Sequence, residues 1–258
     1  MDVERSYLGR LTTDEFESLI AGDRPVVVIL PVGCVEPHGP HLALATDTVI
    51  SEAAAERAVP LLSDRGLVGL IAPPVPYGVT RCASSFRGAI SVSPASLRSF
   101  ITDVVEGFLS DGVAHVCLVN NHLEPEHDAA VRASTEAIDA KRVSVACPLT
   151  RKWARTLSEE FKSGACHAGR YETSLILASH RDDVREDMMK SLPEVPVSLS
   201  DHLQSGVTDF KEMGLTRAYS GAPADASQKH GEEQLEKLAT MIATEIVDAL
   251  HGDAGTSQ

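Results

Sequence analysis

Three short stretches of this chain combine carboxylates and imidazoles at spacings that suit divalent metal ions. The first runs Gly33-Cys34-Val35-Glu36-Pro37-His38-Gly39-Pro40-His41, with Asp47 a few residues on. Glu36 and His38 stand two apart, so an extended backbone directs both side chains to one side. Asp47 falls at the start of the next helix and can fold back to the same point. A carboxylate, an imidazole and a second carboxylate suit Zn²⁺, Mn²⁺ or Fe²⁺. In the second stretch, Asn120-Asn121-His122-Leu123-Glu124-Pro125-Glu126-His127, His122 and Glu124 repeat the spacing. Glu126 and His127 are expected on the surface of the helix that follows. The third, Cys166-His167-Ala168-Gly169-Arg170-Tyr171-Glu172, has a loop histidine and an acid early in a helix. Each stretch alone fits an ordinary polar loop or helix start. Together they hold enough ligands for two adjacent metals.

Alternating strands and helices must bring these stretches together. Pro25–Val32 is a short, wholly apolar, β-branched run of the kind buried on both faces of a parallel sheet. Val68–Ala72, His115–Asn120 and Val143–Cys147 read as further strands. Helices are expected from Thr12 or Thr13 to Ala21, Thr46 to Ala58, Ser93 to about Asp111, and Glu126 to about Ala140. Tyr171–His180 and the amphipathic Gly231–His251 follow. This order predicts a layered α/β fold with a mostly parallel sheet. Ligands of such sheets gather beyond the carboxyl ends of the strands, where the first two stretches lie. No linker divides the chain, so residues 1–251 read as one domain and 252–258 as a disordered tail.

Composition narrows the partners. A formal charge of −14 and an aromatic share of 4% argue against nucleic acid, which needs cations for phosphates and rings for bases. The same charge disfavours anionic membranes. No apolar run reaches the roughly 18 residues of a membrane span, and the N-terminus lacks a signal-peptide layout. Five cysteines without a CxxC pair do not form a disulfide framework. A cytoplasmic protein acting on a small molecule is expected.

At three places the sequence resembles the creatininase (creatinine amidohydrolase) family. PVGCVEPHGPHLALATDT resembles its first signature, VNNHLEPEHDAA its second and CHAGRYETS its third, in matching order and rough spacing. The resemblance implies a three-layer α/β/α sandwich, often hexameric, with two divalent ions per subunit, zinc or manganese, with iron(II) also accommodated. It implies that Asp47 bridges the ions, that Glu36, His122 and Glu124 complete one site, and that His38 and Glu172 complete the other. His167 would be a catalytic histidine outside the ligand set, protonating the leaving amine, and Glu124 would take part in catalysis. Two close divalent ions lower the pKa of a shared water toward neutrality and provide a hydroxide for attack. The implied reaction is hydrolysis of a C–N bond in a cyclic amide, formamide or peptide-like substrate.

The segment resembling the family's substrate loop, Pro76–Thr80 and Phe86–Ser91, has diverged. Thr80 can donate a hydroxyl hydrogen bond to substrate, but Cys82 and Ala83 replace a common Glu-His pair. Leu123 stands where creatinine-cleaving members have tyrosine, and Lys162-Ser163-Gly164-Ala165 lacks their tryptophan. Creatinine is therefore not the expected substrate. Arg81 or Arg87 is expected to meet an anionic group on the substrate instead. Two rivals remain: a cysteine hydrolase using Cys34 or Cys166, which leaves the acids without a role, and a catalytically inactive metal- or ligand-binding member of the same scaffold.

Overall fold

A computed structural model describes residues 3–252. Four parallel strands, β1 (Val26–Val32), β2 (Val68–Ile71), β3 (His115–Asn120) and β4 (Val143–Ala146), lie in the order β2-β1-β3-β4. The helices are α1 (Thr13–Ile20), α2 (Thr46–Ser63), α3 (Pro94–Ser110), α4 (Pro125–Ala133), α5 (Arg151–Ala154), α6 (Glu159–Ser163), α7 (Arg170–Ser179), α8 (Glu186–Ser191), α9 (Leu199–Gln204) and α10 (Gln228–His251).

Period-two alternation sorts β1 between two cores. Val27 and Ile29 face α2, α7 and α10, while Val26, Val28, Leu30 and Val32 face α1, α3 and α4. The strand is buried throughout, which is why it reads as an unbroken apolar run. These layers make the α/β/α sandwich that the resemblance implied. A smaller cluster, with Cys82, Ala83, Phe210, Met213 and Leu215, is built from irregular segments.

The strand order has a direct consequence for the site. β1 pairs with β2 on one side and β3 on the other, with Val32 opposite Asn120. The chain leaves the sheet in opposite directions around this pair, and the crevice beyond their carboxyl ends is the binding position of doubly wound sheets. The Glu36–His38 and His122–Glu124 stretches emerge there side by side. The chain beyond β2 follows β1 to the same end, through Val75 N–H donating to Pro31 O at 2.9 Å and Gly33 N–H to Val75 O at 3.0 Å.

Most element boundaries agree with the sequence reading within a residue or two. Thr12 caps α1 in a reciprocal pair with Glu15, and Ser93 caps α3. α4 is shorter than expected, ending at Ala133. The hydroxyls of Ser134 and Thr135 turn back onto Val131 O and Arg132 O, at 2.6 and 2.8 Å, as the chain leaves the helix. α2 runs past Ala58 to Ser63 despite Pro60. Of the tail, Gly252 is described and closes α10 in a left-handed conformation; residues 253–258 lie outside the described residues. No described helix is long and apolar enough to cross a membrane.

Gly33 allows α2 to begin against the end of β1. A Cβ there would lie 2.5 Å from both the amide nitrogen and the hydroxyl of Thr48, so any side chain forces the first turn of α2 outward. That turn carries Asp47. Gly33→Ala is expected to lower the unfolding free energy by about 1–3 kcal/mol, the usual cost of overpacking. Urea titration checks this, and an unchanged midpoint would show that the first turn yields freely.

Candidate metal centre and substrate pocket

Five buried side chains from four separate segments converge beyond β1 and β3. His38 Nε2 lies 3.0 Å from Asp47 Oδ1, 3.6 Å from Glu172 Oε2 and 3.9 Å from Glu36 Oε1. His122 Nδ1 lies 3.0 Å from Asp47 Oδ2 and 3.4 Å from Glu36 Oε1. Asp47 thus turns one oxygen toward each ring. Glu36, Asp47 and Glu172 are at most 5% exposed, and a buried carboxylate is stable only when paired or bound to a cation.

Backbone carbonyls set the imidazoles. His38 Nδ1–H donates to Glu36 O at 3.1 Å, and His122 Nε2–H to Val79 O at 2.8 Å. Each ring therefore turns its other nitrogen toward the carboxylates. This backbone orientation of a ring is typical of metal-binding histidines. Asp47 Oδ2 has no hydrogen bond although His122 Nδ1 lies close to it. Buried carboxylates gathered at one place repel unless positive charge lies between them. The donor set, its burial and the orphaned Asp47 oxygen fit divalent cations; ligand atoms of Glu36, His38 and His167, and of His38, Asp47 and Glu172, lie close enough to share an ion.

The electrostatics agree. Burial disfavours a charged His38, yet Asp47, then Glu172 and Glu36, push its pKa up to about 10. His122 is likewise raised against burial by Glu36 and Asp47. Burial opposes ionisation of Glu36, but His122 brings its pKa down to about 2. For Asp47 burial is again outweighed, by His38 and His122, and its pKa is lowered. Glu172 moves the other way, to about 8, because burial and the Asp47 charge exceed the pull of His38. The protons gathered on the rings stand where a cation's charge would go.

Other expected residues have different neighbours. His167 Nε2–H donates to Pro37 O at 2.9 Å, leaving Nδ1 turned toward Glu36 Oε1 at 3.8 Å. Burial, then the neighbouring His38, lowers its pKa to about 4. Ala168 takes a left-handed φ of 50°, and its N–H donates to Glu172 Oε2 at 2.7 Å. Glu124 stands apart from the ligand clusters. Its carboxylate accepts from the Arg81 amide at 2.9 and 3.0 Å and from the Cys82 amide at 3.0 Å, and it forms part of the pocket wall. Thr80 donates to Glu36 Oε2 at 2.5 Å and is buried, so its hydroxyl is occupied by a cluster carboxylate.

One expectation is overturned outright: His127 is fully buried. Its Nδ1 accepts from Val79 N–H at 3.1 Å, and its ring packs edge-on against His122, centroids 4.6 Å apart. Gly78 makes room for it, since a Cβ there would lie 2.4 Å from the ring. The position one turn into α4 looked exposed because only the packed loop from Gly78 covers it.

Glu36, Asp47, His122 and Glu172 lie in the floor of a pocket of about 330 Å³. Leu123 lines it as expected, but among the described residues Thr80, Arg81 and Arg87 do not. Arg81 pairs with Glu126 at the surface, 2.9 Å apart, and Arg87 is exposed. The cations that do line it are Arg151, Arg155 and Lys162. The sequence signal for the two arginines is the basic run Arg151-Lys152-Trp153-Ala154-Arg155 in an otherwise acidic chain. The described cysteines are free, and burial pushes the Cys34 thiol up to about 12 and the Cys166 thiol well above its ordinary value. Neither supplies the thiolate that a cysteine hydrolase needs.

Fold and site together define a doubly wound α/β/α protein with a buried carboxylate–imidazole centre suited to divalent metals. The chain belongs to the creatininase family: the family model "Creatininase: Creatinine amidohydrolase" matches residues 9–246. It is 29% identical over 249 residues to the mycofactocin precursor peptide peptidase of Mycolicibacterium smegmatis, covering 93% of this chain and 90% of that one. With the creatinine amidohydrolase of Pseudomonas putida it shares 28% over 265 residues, 93% and 95% of the two chains. The solved structure "Creatininase Mn" superposes with a TM-score of 0.73 at 22% identity, covering 95% of this chain and 98% of the other. Relatives of both names hydrolyse C–N bonds.

Thr80→Val should leave Glu36 Oε2 without its buried donor and cost about 1–3 kcal/mol, with Thr80→Ser restoring most of it. Denaturant titration of the two variants measures this; a valine variant as stable as the parent would show that the hydroxyl does not anchor Glu36.

Proposed function

We propose that this protein is a dinuclear metal amidohydrolase acting on a peptide-like amide. The observation that carries the reading is the convergence of Glu36, His38, Asp47, His122 and Glu172, with both histidine tautomers set by backbone carbonyls. These five would hold the ions, zinc or manganese, with Asp47 turning one oxygen toward each ring. Ions held there would supply an acidified water and an electrophile for the substrate carbonyl oxygen.

The remaining steps belong to protein groups. Glu124, fixed by two backbone amides at the pocket wall, can orient a nucleophilic water and accept its proton; burial raises its pKa, though the amides oppose this. His167 presents Nδ1 as an acceptor, since Nε2–H is committed to Pro37 O. It must first receive a proton before it can protonate the departing amine, which suits a group that works as base and then as acid. Leu123, Phe161 and Phe210 give the pocket an apolar wall. Such a wall supports a substrate with an apolar body, nearer to a peptide than to creatinine, and a family relative bears the name of a peptide peptidase. We also infer a homo-oligomer from the family resemblance, and a cytoplasmic location from five cysteines without a disulfide framework.

Chelation should abolish hydrolysis of an amide and dipeptide panel, and Zn²⁺ or Mn²⁺ should restore it, while thiol alkylation leaves it intact. Retention of activity by the metal-free protein would refute the reading. Variants separate the roles. Asp47→Asn should reduce bound metal in elemental analysis. Glu124→Gln and His167→Ala should keep the metal but lower kcat by about 10²–10⁴. Loss of metal from Glu124→Gln would make Glu124 a ligand instead.

A further inference from the structure

The pocket that contains the acidic centre has a basic rim, and the way that rim is built singles out two arginines. Arg151 and Arg155 are four residues apart on the α5 turn, so they share one face, and both line the pocket. Between them, Lys152 and Trp153 point elsewhere. Lys152 Nζ lies 3.4 Å from Glu245 and 3.2 Å from Asp248, and Trp153 Nε1–H donates to Glu245 at 2.6 Å. These contacts fasten α5 to α10 and leave its other face to the pocket.

Among the described residues, the guanidinium of neither Arg151 nor Arg155 has an ion pair or hydrogen bond, although acids outnumber basic residues in the chain by 37 to 23. Two like charges four apart on a helical turn repel. Lys162, the third cation of the rim, is already paired with Glu159 at 2.5 Å. The same pocket is lined by the apolar side chains of Leu149, Ala154, Phe161, Leu203 and Phe210. An anion at the end of an apolar body would satisfy rim and wall together.

We propose that Arg151 and Arg155 form a carboxylate-binding site that selects substrates with an apolar body ending in a free carboxylate, such as the C-terminus of a short apolar peptide. A guanidinium can grip such a group through two parallel hydrogen bonds. The site rests on the amidohydrolase reading for its place in the reaction, since the carboxylate would anchor the end of the molecule away from the scissile amide. It replaces Arg81 and Arg87, which lie outside the pocket.

The test reads binding and does not depend on turnover. Metal-loaded protein is titrated by calorimetry with N-acetylphenylalanine and with N-acetylphenylalaninamide, which differ by the carboxylate alone. The acid should bind about tenfold more tightly, the effect of one charge-assisted contact, and Arg151→Gln/Arg155→Gln should reduce the difference to within about twofold. Should the double variant not fold, Arg155→Glu serves in its place and should reverse the preference. Equal affinity in the parent protein overturns the proposal. So does a preference for the acid that survives the substitutions, because the metals would then be holding the carboxylate. Failure of every amide to be hydrolysed would sink the amidohydrolase reading and leave this result standing.

Discussion

The structure turns on one electrostatic constraint: three buried carboxylates are held close together around two imidazoles. With one ring nitrogen of each committed to Glu36 O or Val79 O, the other nitrogens of His38 and His122 meet Asp47 at 3.0 Å on either side. Such a cluster is unfavourable without positive charge at its centre. Protons on the histidines provide some, and divalent cations would provide more. The same unfavourable arrangement is what suits the centre to cations.

The surrounding elements keep these groups from relaxing apart. β1 and β3 are neighbours, so the loops that follow them cannot separate. Gly33 admits the first turn of α2, which brings in Asp47, and the left-handed Ala168 turns the chain so that its amide holds Glu172. From outside the cluster, Thr80 fixes Glu36, and Val79 receives His122 on one side of its peptide while its own N–H engages His127 on the other. The loop resembling a substrate-contacting segment is thus largely a support for the centre. The walls of the pocket come from Leu123, from the stretch between β4 and α7, and from Leu199, Leu203 and Phe210 beyond α7.

That division explains where relatives can differ. The residues of the centre are fixed by mutual contact, and a change at one strands the others. The exposed arginines of α5 reach the pocket without a partner, so a change there leaves the contacts of the centre intact.

Sequence alone determined the parallel layered fold, because unbroken apolar runs such as Val26–Val32 suit only strands covered on both faces. It also pointed to most of the side chains that converge, since Glu-X-His after such a strand is a local pattern, while His-X-Glu brought in His122 but not Glu124. Tertiary structure decided what local spacing cannot encode. Glu124 shares its spacing with His122, yet amides from a loop over forty residues earlier hold its carboxylate apart. His127 occupies a helix position that only a distant glycine-containing loop buries. Arg151 and Arg155 became pocket residues because Lys152 and Trp153 fasten their helix to α10, almost a hundred residues on. A side chain's type and near neighbours limit what it can do; the atoms that meet it from elsewhere in the chain select which of those things it does.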